Sequence, residues 1–148
     1  MSEPQQSELV VEREMTSSIE AAYEAWSSAE KLSAWFTTGA KQDLRVGGRY
    51  SNADGDCGTF LEVEPNQRIR FTWEQPCHSP GSEVTLEFRS IDSDVVNVRL
   101  THAGLGRAED QSDLALGWEW ALDSMKSFLE TGSGIRYRDW EAMKEMGV

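Results

Sequence analysis

Between residues 112 and 131 an apolar side chain returns at every third or fourth position. Leu114, Trp118, Ala121, Leu122, Met125, Phe128 and Leu129 fall on one side of a helix at that spacing and form a broad stripe that must be covered. About twenty residues of helix reach roughly 30 Å, enough to cross a small sheet. The preceding segments read as strands, so a sheet is the partner expected beneath the stripe. Function then turns on whether the space between them is solid or hollow. Trp120 lies about 200° around the helix from Trp118, so the two indoles are not expected to share a pocket.

Leu9, Val11, Arg13 and Met15 alternate with Val10, Glu12 and Glu14 and predict a first strand whose inner face is apolar apart from Arg13. Ser17 and Glu20 have the spacing of a capping box, ahead of a helix bearing Ile19, Ala22, Tyr23 and Trp26. Ser27-Ser28 interrupts it, and Leu32, Trp35 and Phe36 mark a second short helix. From Lys41 the period becomes two. Turn residues divide this part of the chain into strands at 42–46, 49–51, 58–64, 68–74, a segment around Val84–Phe88, and 95–102. Ile69, Phe71 and Trp73 share one face, as do Val84, Leu86 and Phe88, and Val96, Val98, Leu100 and His102. The order strand, two short helices, about six strands, long helix predicts an α+β domain with a curved antiparallel sheet. The expected division is a tail over 1–7, the domain over 8–131 and an extension over 132–148 with Tyr137, Trp140, Met143 and Met146 on a partly amphipathic pattern.

The 148 residues suit one domain. Fourteen basic against 26 acidic residues give a net charge of −12, which repels phosphate backbones and anionic membrane surfaces, so nucleic acid is not an expected partner. No apolar run approaches the roughly 20 residues of a bilayer span, so membrane insertion is not expected. The first eight residues lack the basic and apolar regions of a secretory signal, and Cys57 and Cys77 stand apart, outside any CxxC pair. Reduced thiols and a cytoplasmic location follow as expectations.

Several patterns recur in one order: Ala29-Glu30-Lys31-Leu32-Ser33-Ala34-Trp35-Phe36, Asp43-Leu44-Arg45-Val46-Gly47-Gly48, Glu62 to Ile69 leading into Phe71-Thr72-Trp73, Leu100-Thr101-His102-Ala103-Gly104-Leu105, and Gly117-Trp118. Together they resemble the START-like, birch-pollen-allergen-like helix-grip superfamily (SRPBCC), specifically the group related to the activator of the heat-shock chaperone ATPase. The resemblance runs from about Leu9 to Glu130. It implies a helix-grip fold of about seven strands around the C-terminal helix, often enclosing a pocket for an apolar or amphipathic small molecule. Chaperone activators of the group carry a further N-terminal domain, for which these 148 residues leave no room, so co-chaperone activity is not the expectation.

The inward faces and the helix stripe supply Trp35, Phe36, Phe71, Trp73, Phe88, Trp118, Leu122 and Met125 as candidate pocket residues, and both a cavity and a packed core fit the pattern. His102, on an apolar face at a strand end, could orient a ligand, act as a base or anchor the next loop. Arg13 could meet a ligand carboxylate, a nearby acid or water. Metal ligation is not expected: Asn52, Asp54 and Asp56 imitate a calcium loop, but Cys57 replaces its glycine and Val63 its bidentate glutamate, and Cys57, Cys77, His78 and His102 lack zinc spacing. No nucleophile elbow or phosphate loop is present. No catalytic residue or cofactor is assigned, and enzymatic activity is left open. The expected function is non-catalytic binding of a small molecule, with His102 or a tryptophan indole orienting it. Two alternatives stand beside it: a protein-interaction or chaperone-associated module, with a homodimer possible, and a cyclase- or hydrolase-like enzyme using the same cavity.

Overall fold

Strand β1 (Ser7–Thr16) pairs antiparallel with the last strand of the chain, which brings the two ends of the sheet-forming region together. The computed structural model describes residues 7–37, 39–53, 55, 57–74, 82–105 and 108–146. Val11 and Met15 turn inward as the alternation predicts. Helix α1 (Ile19–Ser27) is capped by Ser18, whose Oγ accepts from the Ala21 N–H. The expected Ser17–Glu20 box is not formed, because Ser17 Oγ donates to the Ser18 carbonyl. Ser28 then serves two helices. Its N–H closes α1 on the Glu24 carbonyl, and its Oγ accepts from the Lys31 N–H to open α2 (Ala29–Trp35).

The remaining strands are β2 (Lys41–Gln42), β3 (Arg49–Ser51), β4 (Cys57–Glu64), β5 (Arg68–Trp73), β6 (Ser82–Asp92) and β7 (Val95–Leu105), ordered β1-β7-β6-β5-β4-β3-β2 in one seven-stranded sheet. The strand expected over 42–46 ends at Gln42. Beyond it the backbone turns on itself, with the Arg45 N–H on the Asp43 carbonyl, the Gly48 N–H on the Arg45 carbonyl, and Gly47 at φ +87°. A side chain at Gly48 would run into the Asp43 carbonyl, which explains the glycine pair better than a strand does.

Inward residues align across the sheet in rows. Val63, Ile69, Leu86, Leu100 and Val11 form one, and Phe60, Phe71, Val84, His102 and Leu9 the next. Phe60 and Val63 are three apart and could not share a face on a regular strand. A bulge between Phe60 and Glu62 lets them, and bends β4 as it does so.

Helix α3 (Ala108–Thr131) begins four residues before the expected start and ends where Gly132, at φ +91°, returns its N–H to the Phe128 carbonyl. Leu114, Trp118, Ala121, Leu122 and Met125 are buried, with Phe128 and Leu129 packed against the core. The stripe thus lies on the sheet as expected. Residues 132–136 lead into a further helix, α4 (Tyr137–Glu145), which buries Trp140 and bonds its indole to Asp123 on α3 at 2.9 Å. The other oxygen of Asp123 takes Arg13 of β1, also at 2.9 Å. The lone charge on the inner face of β1 therefore has a partner within the chain.

Candidate functional site

Beneath α3 the gap between helix and sheet is filled. Leu122, Met125 and Ala121 are fully buried, and Trp26 reaches across from α1 to place its indole N–H 3.1 Å from the Met125 sulfur. Trp26 also meets Trp35 edge-on, ring centroids 5.0 Å apart, and tilts against Phe36 and Phe71. Phe36 is in turn stacked on both Trp118 and Trp120, at 5.8 and 5.9 Å. A continuous aromatic layer therefore runs from α1 to α3. Its two helix tryptophans, expected apart from their angular separation, both stack on Phe36, while their indole N–H groups take different acceptors.

A cavity of about 30 Å³ opens to one side of this layer, between α2 and strands β2 to β5. Trp26, Leu32, Phe36, Tyr50, Phe60, Ile69, Phe71 and Trp73 supply its apolar wall, with Ala40, Gln42, Ser51 and Asn52 toward solvent. Tyr50 is held there by its hydroxyl, which donates to the Thr72 carbonyl at 2.6 Å. The ring has room because residue 58 is glycine: a Cβ there would stand 2.7 Å from it. The volume accommodates a water molecule but nothing larger without movement. Among the described residues no ionisable side chain other than the Tyr50 phenol lies in the wall.

Of the nine residues the sequence points to, Phe36, Phe71 and Trp73 line this cavity. Trp35, His102, Trp118, Leu122 and Met125 are buried in the core beside it, and Phe88 packs edge-on with Tyr23, centroids 5.6 Å apart. Trp35 also borders an open groove of about 290 Å³ with Phe36, Trp120 and Ile135. Sequence reasoning missed Trp26, Tyr50 and Phe60 as neighbours of the site. Trp26 was legible as an inward residue of α1, but its reach depends on how α1 sits over β5.

His102 is fully buried, and its two ring nitrogens differ. Trp118 donates its indole N–H to Nδ1 at 2.9 Å. An indole can only donate, so Nδ1 is the accepting nitrogen and the proton sits on Nε2. Nε2–H then donates to Ser82 Oγ at 3.0 Å, and Ser82 donates onward to the Trp73 carbonyl at 3.3 Å. The chain is directional from one end to the other. It engages both ring nitrogens, leaving no free imidazole lone pair to act as a base. Among the described residues no three His, Cys, Asp or Glu side chains gather in a metal-binding cluster. The possible ligands Cys77 and His78, and Asp54 and Asp56 of the calcium-like turn, lie outside the described residues.

Seven antiparallel strands closed by a long helix, with two short helices after the first strand, define an α+β helix-grip protein of the START-like (SRPBCC) superfamily. Residues 16–130 match the family model described as activator of Hsp90 ATPase homolog 1-like protein, and the chain belongs to that family. Among curated proteins none matches this sequence. Solved structures resemble it closely in fold. CalU16 from Micromonospora echinospora is 25% identical with a TM-score of 0.75, over 86% of this chain and 78% of that one. The Aha1 dimer from Colwellia psychrerythraea is 20% identical with a TM-score of 0.77, over 86% and 99%. DynU16, from the dynemicin biosynthetic locus, is 20% identical with a TM-score of 0.74, over 86% of this chain but 48% of its own.

Proposed function

We propose that this protein is a non-catalytic binder of an apolar or amphipathic small molecule, taken up at the cavity between α2 and β2–β5. The observation that carries the reading is a break in otherwise dense aromatic packing, walled by rings and, among the described residues, free of carboxylate, amine and guanidinium groups. Such lining is typical of small-molecule sites. DynU16, which shares this fold, comes from a biosynthetic locus, a setting that fits this reading. Entry requires the wall to move, since the space as it stands admits only a water molecule. Each Å² of apolar ligand surface then covered contributes about 25 cal/mol. Engagement of both His102 nitrogens favours binding over acid–base chemistry.

Nile red, an uncharged dye that brightens in apolar surroundings, tests this. The expected result is saturable binding at one dye per chain that Ala40→Trp, which fills the cavity mouth, removes. Dye binding unaffected by Ala40→Trp would place the ligand elsewhere and overturn the reading. Native mass spectrometry of the purified protein should show a co-purifying small molecule whose identity names the ligand.

A further inference from the structure

All six tryptophans lie among the described residues, and five have an acceptor for the indole N–H. Trp26 uses the Met125 sulfur, Trp35 the Ala25 carbonyl, Trp118 His102, Trp120 the Ile135 carbonyl and Trp140 Asp123. Trp73 is the exception. Its Nε1 is buried with no partner among the described residues, and its ring forms part of the cavity wall. Buried donors are almost always satisfied, so one left over in a cavity wall is open to an acceptor that a ligand brings.

The rest of the wall limits what that acceptor can belong to. A carboxylate, phosphate or ammonium group would lose its hydration there and find no counter-charge among the described residues. Gln42 adds a second polar contact of known sense. Both hydrogens of its Nε2 are spent on the Trp26 and Ser27 carbonyls, at 3.0 and 2.8 Å, so its Oε1 is left to accept. The flanking Phe36, Phe60 and Phe71 rings favour a flat apolar body.

We infer that the ligand is an uncharged, planar molecule whose carbonyl-type oxygen accepts from Trp73 Nε1, with a hydroxyl or N–H on its frame for Gln42 Oε1. This rests on the cavity being the binding site and names the chemical class that the site selects.

Calorimetric titration with three probes of one shape separates the two claims. Acetylnaphthalene carries the acceptor without charge, ethylnaphthalene lacks the acceptor, and naphthoate carries the charge. The wild-type protein should bind the ketone about tenfold or more tightly than either of the others, from the worth of one buried hydrogen bond and the desolvation of a carboxylate. Trp73→Phe should abolish the preference for the ketone over the hydrocarbon when both are titrated into that variant, whatever the change in their absolute affinities, and a cooperative thermal melt shows that the variant is folded. Equal binding of ketone and hydrocarbon, or preference for naphthoate, would overturn the inference and leave the cavity as the site. Binding of none of the three would overturn both.

Discussion

At the residue scale, buried polar atoms rather than apolar ones distinguish this core. His102 is the acceptor for Trp118 and the donor to Ser82, so replacing it strands the Trp118 indole and leaves Ser82 with its bond to the Trp73 carbonyl. His102→Leu is expected to cost about 2–4 kcal/mol in urea unfolding, from one to two unsatisfied groups. Gln at the same place, able to donate and accept, should recover part of that. Gly134 is constrained differently. A Cβ there would stand 2.8 Å from both Ser124 Oγ and the Trp35 Cα, and Ser124 already donates to the Trp35 carbonyl at 2.6 Å while accepting from the Ile135 N–H at 2.8 Å. Gly134→Ala should therefore break this junction and lower the melting temperature. Individual inward residues were legible from period-two and helical spacing. The partners of His102 and Ser82, and the want of one for the Trp73 indole among the described residues, were not, because the hydrogen bonds join β5, β6, β7 and α3 at separations that no local pattern encodes.

At the element scale, β1 is a sheet edge with α3 laid along it, and α3 side chains occupy its outward backbone groups. Lys126 Nζ donates to the Glu14 carbonyl and Glu130 accepts from the Thr16 N–H, while Arg13 donates to the Glu12 carbonyl. Charged side chains on an edge oppose strand addition by another chain. The double substitution Lys126→Ala with Glu130→Ala should make association concentration-dependent in sedimentation velocity. The Glu130 carboxyl is held below its ordinary value of 4.5 by the Thr16 N–H first and Lys126 second. A lowered folded value means the stabilisation is complete above the ordinary range and is lost as pH falls through the lowered one. Glu130→Gln should accordingly flatten the acid limb of the stability profile below pH 4.5, as thermal melts across pH would show. Helix α4 depends on Trp140, buried and bonded to Asp123. Trp140→Ala should release α4, seen as lost hydrogen-exchange protection over 137–145, at a cost of up to about 3 kcal/mol.

At the scale of the whole molecule, 26 acidic against 14 basic residues set up net self-repulsion. The ion pairs of the described residues lie at or near the surface, where each contributes little. Screening should then relieve repulsion more than it weakens pairs. The melting temperature is expected to rise between low and moderate salt; a fall would show that the surface pairs dominate. The alternation of the strands, the stripe of α3 and the break at Ser27-Ser28 made the architecture readable, since each is a local period that only one packing satisfies. Residues 43–46 form a turn where their alternation predicts strand, because Gly47 and Gly48 decide the backbone through φ and close approach.

The sequence by itself determined which faces are apolar, roughly how many elements there are and that a helix must close the sheet. Those properties come from spacing along the chain. Only the tertiary structure decided that the ground beneath α3 is packed and that the opening lies beside it, under α2. That outcome depends on Trp26 crossing from α1 to Met125, and on a bulge turning Phe60 inward. It likewise decided which tryptophan lacks an acceptor among the described residues, because pairing five indoles and stranding the sixth is a matter of distances between elements far apart in the chain.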